Sequence, residues 1–150
     1  MAVAIETAQK GIQNGQTPFG CVIVKDRKIL VQEHNRVWET TDITAHAEIV
    51  AIRSACKILN TISLKGLTLY STCEPCPMCF SAIHWANIDK VYYGATIQDA
   101  KVCGFHELEI SNFQMKKLGK SHVDIQGGIL QDQSKELFQK WKQFNQSKLY

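Results

Sequence analysis

Cys73-Glu74-Pro75-Cys76-Pro77-Met78-Cys79 decides how this chain is read, together with His46-Ala47-Glu48 upstream. Cys76 and Cys79 are three residues apart. If Pro77 opens a helix at its first turn, both sulfurs lie on one face near the helix N-terminus, where the dipole favours thiolates. Cys73 precedes both prolines and falls on the far side of the turn, so it reads as a thiol beside the site and not as a ligand. One imidazole (His46) and two thiolates (Cys76, Cys79) form a donor set suited to zinc with its fourth position open. A structural zinc fills that position with a fourth protein ligand, whereas a hydrolytic one keeps it for water and lowers the water's pKa from about 15.7 toward about 7. Glu48, a carboxylate that does not bind the metal, is placed to carry protons between that water and a substrate. A C-x-x-C can also be a redox pair and a single His a core residue, but the whole constellation seldom arises by chance.

The surrounding sequence shows what carries these residues. His46 and Glu48 are two apart and would diverge in mid-helix, so they belong at the N-terminal edge of the helix marked by Ile49, Ile52, Cys56 and Leu59, with Asp42 or Thr44 as its cap. Residues 67 to 71 form a β-like run feeding the cysteine turn, residues 77 to 87 the second metal helix, and Val91-Tyr92-Tyr93 the next strand. A crossover of that length implies parallel strands, which puts both metal helices on one face of a sheet. Upstream, Ile5, Ala8 and Ile12 mark an amphipathic first helix closed by Asn14-Gly15, followed by a hairpin of residues 19 to 24 and 28 to 33. Gly20 suggests a close backbone approach. Asn35 ends the hairpin before a polar loop at 38 to 42. It could offer its amide to a substrate ring, though an Asn there more often makes a turn. Trp85, near the end of the second metal helix, reads by position as core. Residues 95 to 104 read as a loop, and 105 to 109 as an acidic patch whose carboxylates would be solvated. A short helix ends around Lys116 to Lys120, and residues 123 to 125 make a brief strand. Leu137, Phe138, Trp141 and Phe144 form the stripe of a last helix, which must bury that face, a second subunit being one candidate cover.

Composition limits the alternatives. At 150 residues and 45% hydrophobic content, the chain supports one domain, residues 1–150, with a proper core. No apolar run is long enough for a membrane span, and Met1-Ala2-Val3-Ala4-Ile5-Glu6 lacks the basic start of a secretory signal. Six cysteines without an export signal point to a reducing, cytoplasmic setting, with Cys21, Cys56 and Cys103 as buried thiols. A net charge of +3 does not by itself imply nucleic acid, and the lysines toward the end read as a solvated face.

Taken whole, the chain resembles the zinc-dependent cytidine deaminase-like superfamily, whose H-x-E and P-C-x-x-C signature it carries. Within it, the chain looks most like bacterial guanine deaminases. The most specific stretches are residues 44 to 48, 51 to 53, 73 to 79 and 82 to 86. The resemblance implies a three-layer α/β/α fold with a central mixed five-stranded sheet, a zinc cofactor and deamination of guanine to xanthine, with Glu48 as proton shuttle. It also implies substrate contacts from Asn35, Phe19, Trp85, Glu107 and Tyr150. The terminal Tyr150 would arrive on a C-terminal segment that can be exchanged between the subunits of a homodimer. Two positions depart from the pattern: Phe105-His106-Glu107 stands where guanine-specific members carry Phe-Asp-Asp, and His84 replaces the usual Tyr. Glu33-His34-Asn35-Arg36 and residues 127 to 130 are similar to tRNA adenosine deaminases, which would need a tRNA partner. Guanosine or a related aminopurine or aminotriazine is the nearer alternative. Guanine is preferred because its N1 and 2-amino groups are donors that want an acceptor such as Glu107, whereas adenine's ring nitrogens are acceptors.

Overall fold

The cysteine turn leaves the middle strand of a five-stranded sheet in a computed structural model that describes residues 1–144 and 149. The strands are β1 (Gly20–Lys25), β2 (Lys28–His34), β3 (Thr68–Cys73), β4 (Lys90–Ala95) and β5 (Asp124–Gln126), in the order β2-β1-β3-β4-β5. β1 is antiparallel to both β2 and β3, while β3, β4 and β5 run parallel. The sheet is therefore mixed, as expected. Asp26 and Arg27, at φ 49° and 62°, form the two-residue hairpin turn, with the left-handed backbone that matches strand twist.

Two helices cross over on one face: α3 (Ala47–Leu59) between β2 and β3, and α4 (Pro77–Trp85) between β3 and β4. Ala51, Ala55, Phe80 and Ile83 from the helices bury against Cys21, Ile23, Leu69 and Val91 of the strands. On the other face, α1 (Ala2–Gln13), α5 (Ile97–Cys103) and α7 (Gln131–Phe144) enclose a second core of Ile5, Ala8, Ile12, Leu137, Phe138 and Trp141. The result is the three-layer α/β/α arrangement. α1 reaches the sheet because position 20 is glycine: a Cβ there would press into the Ala4 carbonyl oxygen and lie 2.7 Å from the Ala8 nitrogen.

Several expectations are corrected. Residues 97 to 103 are helical and not a loop, because Thr96 and Asp99 form a reciprocal capping box and Ile97, Ala100 and Cys103 recur on a buried face. The polar stretch after Asn35 includes a short helix, α2 (Val37–Thr40). Asp42 does not cap α3; its Oδ1 accepts from the Thr44 nitrogen and hydroxyl, and the N-cap is His46. The stripe of α7 buries Leu137, Phe138 and Trp141 within its own chain, against α1 and Phe105, and leaves Phe144 exposed. A further helix, α6 (Asn112–Gly119), packs on α4. Cys21 and Cys103 are buried and Cys56 partly so; all six cysteines are free of disulfides. Among the described residues, no helix is long and apolar enough to cross a membrane.

Candidate active site

The two metal helices begin side by side. His46 is the N-cap of α3 and Cys76 the N-cap of α4, both with extended backbone (ψ 154° and 166°), and neither uses its side chain to cap its own helix. Pro77 opens α4 with its fixed φ, which leaves Cys79 one turn on with its sulfur beside that of Cys76. His46 Nδ1 lies 3.6 Å from Cys76 Sγ and 3.6 Å from Cys79 Sγ. Zn–N and Zn–S bonds of about 2.0 and 2.3 Å at a tetrahedral angle require an N···S separation of about 3.5 Å. The three donors are thus already spaced for zinc. They are the one group among the described residues arranged to hold a metal ion. Cys73, as expected, stands aside, its thiol donating to the Thr96 carbonyl at 3.4 Å.

Charge in the cluster follows its geometry. A hydrogen bond from Cys79 brings the Cys76 thiol down to about 4, against the effect of burial, and His46 helps. Burial pushes the Cys79 thiol up, with neighbouring Cys76 and Glu48 adding to it, so the two sulfurs share one proton. Burial alone would lower His46, but the Cys76 thiolate outweighs it and raises the imidazole. Metal binding releases such protons, which gives the donor set its pH-dependent affinity.

Glu48 sits in the first turn of α3, 5% exposed. Its Oε1 accepts from Ser71 Oγ at 2.8 Å, and its Oε2 is 3.5 Å from Cys79 Sγ. Burial raises its pKa, the condition for a carboxyl group that must both take and release a proton near neutrality. A small inner cavity of about 20 Å³ touches His46, Glu48, Cys76, Phe19, Cys73, Glu74 and Glu107, room for one water. It adjoins an outer cavity of about 300 Å³, which shares His46, Cys76 and Glu107 and is otherwise lined by Ile43, Pro77, Met78, His106 and Leu108.

This geometry is that of a known family. Residues 1–95 match the cytidine and deoxycytidylate deaminase zinc-binding region. The chain belongs to that family. It is a zinc-dependent nucleobase deaminase, similar both to guanine deaminases and to tRNA-specific adenosine deaminases. A guanine deaminase of Bacillus subtilis is 39% identical over 148 residues, 98% of this chain and 94% of that one. A tRNA-specific adenosine deaminase of Agrobacterium fabrum is 36% identical over 94% of this chain and 90% of its own. Among solved structures, the guanine deaminase from Nitrosomonas europaea superposes with a TM-score of 0.86 at 25% identity, covering 95% of this chain and 82% of that one. A tRNA:A34 deaminase superposes with a TM-score of 0.80 at 34% identity, covering 91% and 96%.

The deaminase's other expected substrate residues fall differently. Phe19 and Glu107 line the inner cavity. Phe19 is held edge-on by Phe105, with ring centroids 4.9 Å apart. Glu107 lies on the 104–111 segment and faces inward instead of being solvated; burial, with the Cys76 charge adding to it, pushes its carboxyl up to about 7. Asn35 is fully buried, its Oδ1 accepting from the Val37 nitrogen at 3.0 Å in a turn, and it lines neither cavity. Trp85 is corrected as a core residue. It is 80% exposed and so not core, and it ends α4 at the far end from Cys76, away from both cavities. Tyr150 lies outside the described residues. Sequence reasoning did not find Ser71 and Glu74, whose roles depend on partners 23 and 38 positions away.

Proposed function

We propose that this deaminase converts guanine to xanthine and ammonia. The observation that carries the reading is Glu107, drawn from its loop to the wall shared by both cavities, beside His46 and Cys76. A carboxylate there is an acceptor for the N1 and 2-amino donors of guanine. Adenine would set its ring-nitrogen acceptors against that group, a mismatch of about 1 to 3 kcal/mol. The outer cavity is of the size and apolar lining expected for a small planar base.

In this reading His46, Cys76 and Cys79 would hold zinc, and the chemistry it supplies when bound is activation of water, from a pKa of about 15.7 toward about 7. The remaining work belongs to the chain. Glu48, with Ser71 fixing one oxygen, takes the proton that water gives up and delivers it to ring nitrogen N3; it then takes the remaining proton of that oxygen as the C2 carbonyl forms and passes it to the amine, which leaves as ammonia. Phe19, braced by Phe105, forms an apolar wall for the base. Glu107 orients the ring so that C2 faces the water.

The second reading, a tRNA wobble adenosine, is supported by similarity to tRNA-specific adenosine deaminases over nearly the whole chain. The reading also takes the protein as a homodimer, in which the solvent-facing Trp85 would find cover; light scattering tests that part. The substrate is tested by ammonia release from guanine, guanosine, adenine, cytosine and an anticodon stem-loop. Turnover of guanine is expected. Inosine in the stem-loop without xanthine from guanine overturns the proposal.

A further inference from the structure

Glu74 lies inside the metal motif and touches the inner cavity, but its carboxylate oxygens are bonded to two neighbouring helices. It is 7% exposed, and both its carboxylate oxygens are committed to backbone donors. Oε1 accepts from the Asn112 nitrogen at 2.8 Å and Oε2 from the Ile97 nitrogen at 3.3 Å. Those are the first residues of α6 and α5. One carboxylate thus complements the positive ends of two helices at once. Asn112 adds a tie of its own, Nδ2 donating to the Pro75 carbonyl at 2.6 Å, directly before Cys76.

Between α5 and α6 runs the 104–111 segment, which carries Glu107. Among the described residues its own polar ties are local. Its backbone bonds are short-range (Glu107 to Phe105, Ile110 to Leu108), and the Lys101–Glu109 pair is exposed. Its inward anchor is the buried Phe105. We propose that Glu74 is a positioning residue that sets where Glu107 stands relative to the metal ligands, by tying both flanking helices to the turn that bears Cys76. A shift in either helix start would carry Glu107 away from His46 and Cys76. The role assigned to Glu107 rests on the guanine reading above; the tether itself does not.

Glu74→Gln tests this without changing shape. An amide keeps one acceptor oxygen and turns an N–H group toward the other backbone donor, so one helix start is released. Hydrogen–deuterium exchange on the zinc-loaded protein should show amides of residues 105–112 exchanging about tenfold faster or more, with residues 46–52 unchanged and one zinc per chain retained. In steady state, KM for the base the wild type turns over best should rise while kcat stays within about threefold. Adding Glu107→Gln should then cost far less in the Glu74→Gln background than in the wild type. Unchanged exchange at 105–112, loss of zinc, or an equal Glu107→Gln cost in both backgrounds overturns the proposal. If guanine is not a substrate, the functional reading fails while the exchange experiment still decides the tether. Should Glu74→Gln not fold, Glu74→Asp shortens the side chain by one methylene so that its carboxylate cannot reach both helix starts; faster exchange over the same span supports the proposal and an unchanged profile overturns it.

Discussion

Ser71 on β3 donates its hydroxyl to Glu48 Oε1 on α3 at 2.8 Å, a bond between a strand and a helix 23 residues apart in sequence. It fixes the rotation of a carboxylate whose other oxygen faces the metal ligands. On the mechanism proposed above, Glu48 moves protons only if it is held in reach of both water and ring, which would make the strand part of the proton path. Ser71→Ala should lower kcat about tenfold or more, since a hydrogen bond to a buried charged group contributes about 1.5 to 3 kcal/mol. Zinc content should not change. Steady-state kinetics paired with metal analysis checks this, and an unaltered kcat would show that Glu48 is oriented by something else.

Glu48 itself makes the stronger test. Glu48→Gln keeps the Ser71 contact and the cavity shape but removes the proton acceptor. Turnover should fall by a factor of about 10² or more while one zinc per chain is retained. A variant that loses zinc as well would make Glu48 a ligand and close the coordination position needed by water.

Zinc binding should stabilise the fold. His46 and Cys76 begin two different helices that pack on one face of the sheet, and zinc across their N-termini binds only when both helices are docked. A ligand specific to the native state, present at a thousand times its Kd, contributes about 4 kcal/mol, or roughly 8 to 16 °C in Tm for a chain of this size. Chelation should remove that increment. Cys79→Ser should abolish the response to added zinc, and a scanning-calorimetry trace indifferent to zinc would sink the assignment of the site.

Why some of this was legible in the sequence and some was not comes down to range. The donor set follows from local rules: a proline that starts a helix, two sulfurs one turn apart, and a His-x-Glu that makes sense only at a helix edge. The β3-α4-β4 crossover follows from the same short stretch. α5 was missed because its signal is a Thr96-x-x-Asp99 cap and not a strong apolar period. The stripe of α7 was visible, but not the α1 surface that receives it. Trp85 misled because residue type suggests burial, whereas its place at the end of α4 leaves it 80% exposed. Glu107 came from the resemblance and not from any pattern in its own irregular segment. Glu74 joins positions 97 and 112 through backbone donors, which leave no mark in the residue types there.

Gly20→Ala should test how α1 is seated. The added methyl would press into the Ala4 carbonyl, with the Ala8 nitrogen 2.7 Å away, and both belong to helix backbone that cannot rotate aside. α1 would have to lift from the sheet and loosen Ile5, Ala8 and Ile12 from the second core. A cost of about 3 kcal/mol, or a Tm lower by about 6 to 12 °C, is expected. The metal centre lies on the opposite face, so zinc stoichiometry should be retained. A variant as stable as the wild type would mean that α1 packs less closely than described.

Asp99 gives a prediction about pH. Burial works against its ionisation, but the Thr96 backbone N–H, Lys135 and the Thr96 hydroxyl together hold its carboxyl below the usual carboxylate value of 3.8. It accepts from the Thr96 nitrogen and hydroxyl at 2.8 Å and pairs with Lys135 of α7 at 2.9 Å, so it caps α5 and ties that helix to the last one. Because the folded chain holds the proton off Asp99 more strongly than the unfolded chain does, the stabilisation is complete above the unfolded pKa and is lost as pH falls through the folded one. Asp99→Asn should therefore cost about 0.5 to 1 kcal/mol at pH 7, toward the lower end because solvent screens the Lys135 pair. The difference between the two proteins should shrink as pH falls below the usual carboxylate value of 3.8. Acid also strips zinc from both alike, so the informative quantity is the difference between paired urea melts at each pH. A difference that persists undiminished at pH 3 would show that the charge on Asp99 contributes nothing and that shape alone holds α5.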